Sequence, residues 1–166
     1  QLIKRVVTNT PLDNGTAYYL HDRSGNVIAE LDQTGTTARE YIWLPEAGYA
    51  GTDMPLAVVD GVNTASPQLY YVHTDHINRP IRMSTTAKVM VWQAEWNPWG
   101  GVQSLSGALA NNLRFPGQWF QIETGLHYNW HRHYDPSIGR YTQPDPLGFV
   151  DGPSVYAYAK GSPQRW

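Results

Sequence analysis

The sequence predicts an all-β fold made of antiparallel hairpins, and three observations support this prediction. Of its 166 residues, 13% are aromatic, and its 15 glycines and 12 prolines are spread along the chain instead of gathered in one linker. An aromatic strand pattern also recurs after 52 residues, from Tyr18 to Tyr70. Aromatic residues favour strands, and regularly spaced glycine and proline favour the tight turns between them.

The first copy of the repeat has the pattern of a strand, a turn and a strand. Residues 18–21 and 27–31 are the predicted strands, and residues 22–26 carry the turn signal Asp-Arg-Ser-Gly-Asn. Gly25 and Asn26 tolerate positive φ, so the backbone can reverse there. The sequence therefore predicts a β-hairpin.

The second copy differs from the first in its turn. Residues 76–79 contain no glycine, so we expect Asn78 to adopt the left-handed conformation. Pro80 is expected at the start of the returning strand, because proline cannot donate a hydrogen bond to a strand ladder. Farther along the chain, Glu40 and Glu95 mark a second correspondence, at an offset of 55 residues.

Elsewhere in the first 112 residues, the sequence predicts two more strands and little helix. Residues 2–7 and 88–96 are strand-like, and residues 97–101 carry strong turn signals. Residues 104–112 have a helix-friendly composition, but Gly107 interrupts them. We expect at most one helical turn there.

The region after residue 112 combines large apolar anchors with a polar strand. Phe115, Trp119 and Phe120 are the anchors, and residues 123–125 predict a chain reversal. Residues 127–134 then predict a single strand with two faces. The first face carries Tyr128, Trp130, Arg132 and Tyr134; the second carries His127, Asn129, His131 and His133.

The order of these blocks resembles the RHS/YD-repeat family and, from residue 113, the RHS repeat-associated core. The YD-repeat pattern is matched by Tyr19, Asp22, Gly25, Asn26 and Val27. The core signature is matched by residues 113–120, 123–129, 134–136, 139–141 and 145–148. The resemblance divides the chain into YD-repeat hairpins at 1–112 and the RHS-associated core signature at 113–166.

The resemblance implies a structural function. Members of the family are similar in building a spiralling, hollow β-shell around a C-terminal toxin or other effector. We therefore expect a segment of such a shell, with an irregular C-terminal segment folded inward and no cargo domain in this chain.

The expected partners are the remainder of the repeat shell and a toxin cargo. Self-association is also expected, because two repeats leave strand edges uncovered. We expect the protein to be secreted by a bacterium or delivered to a cell surface.

Many members of the family also cleave themselves with an aspartate-dependent activity, and the resemblance implies that Asp145 is a remnant of it. Asp145 lies in the D-P-x-G element, with Phe149 where leucine is usual, and the next family aspartate would lie beyond Trp166. We expect Arg140 to assist Asp145 and Asp151 to complete a carboxylate pair. In the alternative interpretation both aspartates only shape turns, and the chain is not an enzyme.

Three histidines raise the question of a metal site. His127, His131 and His133 alternate along the predicted strand, and neutral imidazole is a good ligand for transition metals. Asp135 is the one carboxylate near them, and the family pattern does not require histidine at these positions. A polar face of a strand is therefore the preferred interpretation, and we expect neither a metal nor another cofactor.

The aromatic content suggests a carbohydrate-binding β-module of a cell-surface protein as an alternative function. The chain has 7 tryptophans, and aromatic faces can stack on sugar rings. Five of them fall at repeat or core-signature positions: Trp43, Trp96, Trp99, Trp119 and Trp130. Packing between strands explains tryptophan at such positions equally well, so we prefer the structural interpretation.

Composition argues against other classes of function. The formal net charge of -2 predicts no general attraction to nucleic acid, and a chain with 0 cysteines has no thiol chemistry. Its longest apolar run is far shorter than the roughly 20 residues of a membrane-spanning helix. Outside the core signature, no combination of histidine and aspartate suggests a nuclease or another toxin.

Overall fold

Two antiparallel sheets form the fold in the computed structural model, which describes residues 1–8, 14–46 and 53–164. The first sheet is a nine-stranded meander in chain order: β1 Lys4–Val7, β2 Gly15–His21, β3 Val27–Leu31, β4 Thr37–Leu44, β5 Met54–Asp60, β6 Gln68–Thr74, β7 Pro80–Thr85, β8 Met90–Trp96 and β9 Val102–Gly107. The second sheet has four strands: β10 Trp119–Gln121, β11 Leu126–Asn129, β12 Arg132–Asp135 and β13 Arg140–Tyr141. Two 3-10 helices follow, Phe149–Asp151 and Ala159–Gly161. The prediction of an all-β fold of antiparallel hairpins is confirmed.

Five of the described turns share one hydrogen-bonding pattern. In each, the first residue donates its N–H to the carbonyl of the fifth, and the fourth donates to the carbonyl of the first. The fourth residue has positive φ in all five: Gly25, Gly35, Asn78, Lys88 and Gly100. In the turn before β7, Asp75 Oδ1 also accepts from Ile77 N at 3.1 Å and from Arg79 N at 3.0 Å. The predictions for Asn78 and for Pro80 as the start of a strand are therefore confirmed.

Two tryptophans show the spacing of the repeat in three dimensions. Trp43 Nε1 donates to the carbonyl of Val27 at 2.8 Å, and Trp96 Nε1 donates to the carbonyl of Pro80 at 2.8 Å. Donors and acceptors are both separated by 53 positions. The offset of 55 residues between Glu40 and Glu95 therefore does not join equivalent positions, because the two half-buried indoles and their acceptors repeat after 53 residues.

Register shifts bend the nine-stranded sheet. They interrupt six of the eight ladders between its described strands. The β2–β3 ladder shifts between Leu20 and His21, and the β6–β7 ladder shifts between His73 and Thr74. A bulge of this kind bends its strand and increases its twist, so the sheet curves. We call the face that carries Tyr19, Tyr41, Val58, Val72, Met83 and Trp92 the inner face; these residues form one buried cluster.

The segment that follows β9 packs against the inner face. Leu113 and Trp119 belong to the same buried cluster as the sheet residues. The ring of Trp119 lies edge-on to Tyr19 and Tyr41, with centroid distances of 5.4 and 5.5 Å. The expected inward folding of the C-terminal segment is thus confirmed.

An aromatic row crosses the four-stranded sheet. Phe120, His127, Tyr134 and Tyr141 are neighbours in its ladders. Successive ring centroids are 5.8, 5.8 and 6.0 Å apart. Tyr134 and Tyr141 also join Phe115 and Ile77 in a second buried cluster, so this sheet has a core of its own.

One prediction for regular structure is wrong. Residues 127–134 are not one strand, because a two-residue turn with Trp130 at φ 57° separates β11 from β12 and pairs Asn129 with Arg132. Residues 104–112, for which at most one helical turn was expected, contain no helix; residues 104–107 belong to β9, because they pair with β8, as Ser104 does with Glu95. A long-range pairing decided both conformations.

Candidate functional site

Asp145 lies in a hydrogen-bonded turn directly after the second sheet. Its carbonyl accepts from Gly148 N at 3.0 Å, and its Oδ1 accepts from Leu147 N at 2.9 Å. Its own N–H donates to the carbonyl of Val155 at 2.8 Å. The D-P-x-G element therefore closes a turn, as the structural alternative expected, and it holds the carboxylate in one orientation.

The second carboxylate oxygen of Asp145 pairs with an arginine that the sequence did not single out. Arg132 Nη1 lies 2.8 Å from Asp145 Oδ2, and the two side chains are 17% and 13% exposed. Arg132 lies on β12, next to β13, and Asp145 follows β13 by four positions. The pairing of β12 with β13 thus brings Arg132 and Asp145 together, although they are 13 positions apart in the sequence.

Aromatic and amide side chains hold Arg132 in place. Its guanidinium carbon lies 3.6 Å from the centroid of the Tyr141 ring. Tyr141 is buried, and its hydroxyl accepts a hydrogen bond from Asn129 Nδ2 at 2.7 Å. Burial raises the pKa of Tyr141, so this hydroxyl stays protonated at neutral pH. The cation therefore lies between an aromatic face and a carboxylate.

The other two predicted site residues lie differently. Arg140 is exposed, and it is paired in register with Asp135 on β12 and bridged to Ala157. Among the described residues, no ion pair joins Arg140 to Asp145. The backbone of Asp151 ends the first 3-10 helix, and its side chain lies outside the described part of the chain.

This arrangement offers one fixed, half-buried carboxylate. An aspartate held by a guanidinium and a backbone amide can orient a water molecule or a peptide through its remaining lone pairs. Peptide hydrolysis of the aspartic type also needs a second carboxyl group that shares a proton with the first.

The three histidines considered as metal ligands lie in different surroundings. His127 is buried, its Nδ1 lies 2.7 Å from Gln118 Oε1, and its ring contacts Phe120 and Tyr134. Burial, aided by the charge of Arg114, lowers the pKa of His127 to about 3. His131 lies in the turn and His133 is paired with Tyr128. Within the described residues, no group of three or more histidine, aspartate or glutamate side chains is arranged to hold a metal ion.

The five tryptophans considered as sugar platforms all have packing contacts. Trp43 and Trp96 bind backbone carbonyls, and Trp119 is buried between two tyrosines. Trp99 and Trp130 are 40% and 43% exposed, but their rings lie against the backbone of two glycines, Gly139 and Gly25. Packing thus accounts for each of these positions.

A second ionisable cluster lies on the inner face. Tyr41 donates a short hydrogen bond to Glu30, and Arg39 Nε binds Asp60 Oδ1 at 3.1 Å. Arg39 Nη1 also lies 4.0 Å from Glu30 Oε1. Burial raises the pKa of Glu30 above its ordinary value, although the Tyr41 hydrogen bond and the Arg39 charge oppose that shift. The same burial raises the pKa of Tyr41, which remains a donor.

Comparison with known proteins places this geometry in a family. The family model described as Teneurin YD-shell matches residues 59–152, more than half of the chain. "Double-stranded DNA deaminase toxin A" of Burkholderia cenocepacia (strain H111) is 32% identical over 154 residues, which are 84% of this chain and 10% of that protein. "Toxin protein Tse5" of Pseudomonas aeruginosa is 36% identical over 113 residues, which are 68% of this chain and 8% of that protein.

A solved structure shows the same fold. The crystal structure of TcdB2-TccC3-Cdc42 matches with a TM-score of 0.63 at 19% identity, over 97% of this chain and 9% of that one. The chain thus spans about a tenth of each of these three larger proteins. Among the described residues, no helix has the length and apolar character to cross a membrane. The family match, the hairpin repeat and the core signature agree, and the chain belongs to the teneurin YD-shell family of RHS/YD-repeat proteins.

Proposed function

We propose that this chain is a structural segment of an RHS-type shell that encloses a C-terminal toxin or effector and helps to deliver it. The observation that carries the proposal is the packing of the segment after residue 112 on the inner face of the hairpin sheet, with Trp119 between Tyr19 and Tyr41. The names of two relatives, both toxins, support the same function. In this proposal residues 1–112 form part of the wall of the shell, and residues 113–166 line its inner surface.

The partners in this proposal are the remainder of the shell and the cargo. The outermost strands β1 and β9 have one described neighbour each, and all six residues of β9 are exposed. Further repeats of the same shell, or a second copy of the chain, would pair with these edges. The toxin names of two bacterial relatives support secretion from a bacterium, or delivery to a cell surface.

Protease protection tests the enclosure. The full-length protein that contains this segment is incubated with a broad-specificity protease, and cleavage of the cargo is followed over time. Enclosure predicts that the cargo survives much longer in the intact protein than as a free domain under the same conditions. Equal rates of cleavage would show that the shell does not enclose it.

We further propose that Asp145 takes part in aspartate-dependent self-cleavage, with Arg140 and Asp151 as the assisting residues expected from the resemblance. The fixed, half-buried carboxylate of Asp145 favours this second function, and its ion pair adds Arg132 as a positioning residue. A chain extended through the next family motif and a short cargo should cut itself, and Asp145→Asn should abolish cutting.

Asp135→Asn provides a matched control for that experiment. Asp135 also caps a turn with its carboxylate, since Oδ1 accepts from Ser137 N at 2.8 Å. The control variant should therefore fold and cut normally. If Asp145→Asn cuts as fast as the control, Asp145 is a turn residue without a catalytic role.

A further inference from the structure

A cavity of about 330 Å³ lies between the inner face and the segment that packs on it. This volume is at the lower end of the range of about 300–1,000 Å³ that small-molecule sites occupy. Aromatic side chains from both sheets and from the connecting segment line it: Trp43, Phe115, Trp119, Tyr128 and Trp130. The walls therefore supply both apolar surface and aromatic π-systems.

Packing and hydrogen bonds hold these rings in place. Trp43 Nε1 already donates to the carbonyl of Val27, and Trp119 is buried. The ring of Trp130 lies against Gly25, which also lines the cavity. Because the one polar atom of the Trp43 side chain is bonded, a ligand can contact that side chain only through the carbon surface of its ring. The aromatic walls are therefore preformed.

Asp53 adds a fixed negative charge, and it is the one described carboxylate that lines this cavity. Its Oδ1 accepts from Glu46 N at 3.0 Å, and its Oδ2 accepts from Asn26 Nδ2 at 2.6 Å. These hydrogen bonds, above all the one from Glu46, hold the pKa of Asp53 below its ordinary value, so the carboxylate is ionised at neutral pH. Both donors are neutral groups, and within the described part of the chain no ion pair compensates the charge of Asp53.

Two basic side chains, Arg114 and His21, also line the cavity, but neither forms an ion pair with Asp53. The guanidinium of Arg114 lies 4.2 Å from the ring centroid of Phe120 and 5.1 Å from that of Trp96, and neither of these rings lines the cavity. Burial lowers the pKa of His21, so its imidazole is uncharged at neutral pH. The carboxylate of Asp53 is therefore left to attract a cation from outside the chain.

The hydrogen bonds of Asp53 indicate which kind of cation fits. A carboxylate has about four lone-pair sites, and donors from Glu46, Asn26 and the side chain of Ser24 already use three of them. A primary ammonium is strongly hydrated and needs an acceptor for each of its N–H groups when it leaves water. A quaternary ammonium has no N–H group, and it binds through its charge and through contacts of its methyl groups with aromatic rings.

We propose that this cavity binds a quaternary ammonium group carried on a short stem. The ammonium would lie beside the carboxylate of Asp53, and its methyl groups would contact the rings of Trp43 and Trp130. A free small molecule such as choline and the side chain of a trimethylated lysine in a peptide share this chemistry. This site is independent of the shell function and of Asp145.

Isothermal titration calorimetry on the 166-residue chain tests the charge and the methyl groups separately. The amino terminus is acetylated, because Gln1 lines the cavity and its ammonium would compete for the same carboxylate. Choline is compared with 3,3-dimethyl-1-butanol, which has the same shape without the charge, and with ethanolamine, which has the charge without the methyl groups. A second arm compares the capped tripeptide Gly-Lys-Gly with and without trimethylation of its lysine.

In at least one arm the quaternary probe should bind about tenfold or more tightly than each of its comparison compounds. The arm that binds identifies the source of the ligand. If the quaternary probe shows no binding, or no advantage, in both arms, the proposal is overturned.

Three variants assign the binding to this cavity. Asp53→Asn removes the charge with little change in size and should weaken binding of the quaternary probe about tenfold or more. Asp32→Asn is the matched control, because Asp32 also caps a turn, accepting from Thr34 N at 2.8 Å, but does not line the cavity; the affinity should be unchanged. Trp130→Leu keeps an apolar side chain but removes the ring, and it should weaken binding several-fold even if Asp53→Asn fails to fold. Binding that survives both Asp53→Asn and Trp130→Leu would place the ligand elsewhere and overturn the proposal.

Discussion

Gly25 and Gly35 occupy the same position in two turns of the same pattern, and alanine there should have unequal effects. Their φ angles are 90° and 81°, so alanine meets similar backbone strain at both. A Cβ at Gly25 would lie 2.2 Å from Trp130 Cζ2, whereas nothing lies within 4 Å of a Cβ at Gly35. Comparison of the two alanine substitutions therefore separates the free-energy cost of backbone strain from that of lost packing.

The expected magnitudes follow from these contacts. A left-handed conformation costs an alanine about 1–2 kcal/mol, which should be the whole effect of Gly35→Ala. Gly25→Ala must in addition move the Trp130 ring, which is 43% exposed. Loss of a fully buried tryptophan costs about 3–5 kcal/mol, so losing about half of its packing adds roughly 2 kcal/mol. We expect Gly25→Ala to destabilise the chain by about 3–4 kcal/mol in total.

Urea unfolding, followed by circular dichroism, measures both values. Both substitutions are then repeated in a Trp130→Ala background, in which Gly25→Ala and Gly35→Ala should cost the same within about 0.5 kcal/mol. A difference that persists without the Trp130 ring, or no difference with it, would refute the packing argument.

Three further predictions concern buried side chains. Trp119→Ala should lower the unfolding free energy by about 3–5 kcal/mol in urea denaturation, because it empties the contact between the two sheets; a loss below about 1 kcal/mol would contradict this contact. The raised pKa of Glu30 means that its contribution to stability is full below its ordinary value of 4.5 and is lost as pH rises through the folded value. The stability of the wild-type chain relative to Glu30→Gln should therefore fall as pH rises above 4.5, and a difference that does not change with pH would exclude this. His127 should show the opposite pH dependence: its contribution to stability is present above pH 6.5 and is lost as pH falls toward 3. NMR should therefore find a neutral imidazole at about pH 5.

Sequence reasoning succeeded where the conformation is decided locally. Asn78 and Pro80 were predicted because a left-handed residue and a missing amide hydrogen restrict the backbone within one turn. The all-β character followed from the same turn signals of glycine, proline and aspartate. Likewise, Phe115 and Trp119 were identified as anchors, and both are buried.

Sequence reasoning failed where distant residues decide the outcome. Trp130 gives no local signal for a turn, since a bulky residue at positive φ is uncommon and is held there by the pairing of the two flanking strands. Arg132 was placed on a strand face without a partner, because its contact with Asp145 exists only after β12 and β13 have paired. Arg140, nearer in sequence, was the more obvious partner for that carboxylate.

The bulges in the hairpin sheet bear on how a shell of this kind could change its capacity. Each bulge is one extra residue in one strand, and bulges recur at matching positions after Leu20 and after His73. In the proposed shell such residues would set how sharply the wall bends, so gaining or losing one would change the enclosed volume without changing the number of strands. The carbonyls that Trp43 and Trp96 bind lie beside the same two ladders, so a tryptophan would have to shift together with its bulge. A shell could therefore be refitted to a larger or smaller cargo by paired changes within single repeats.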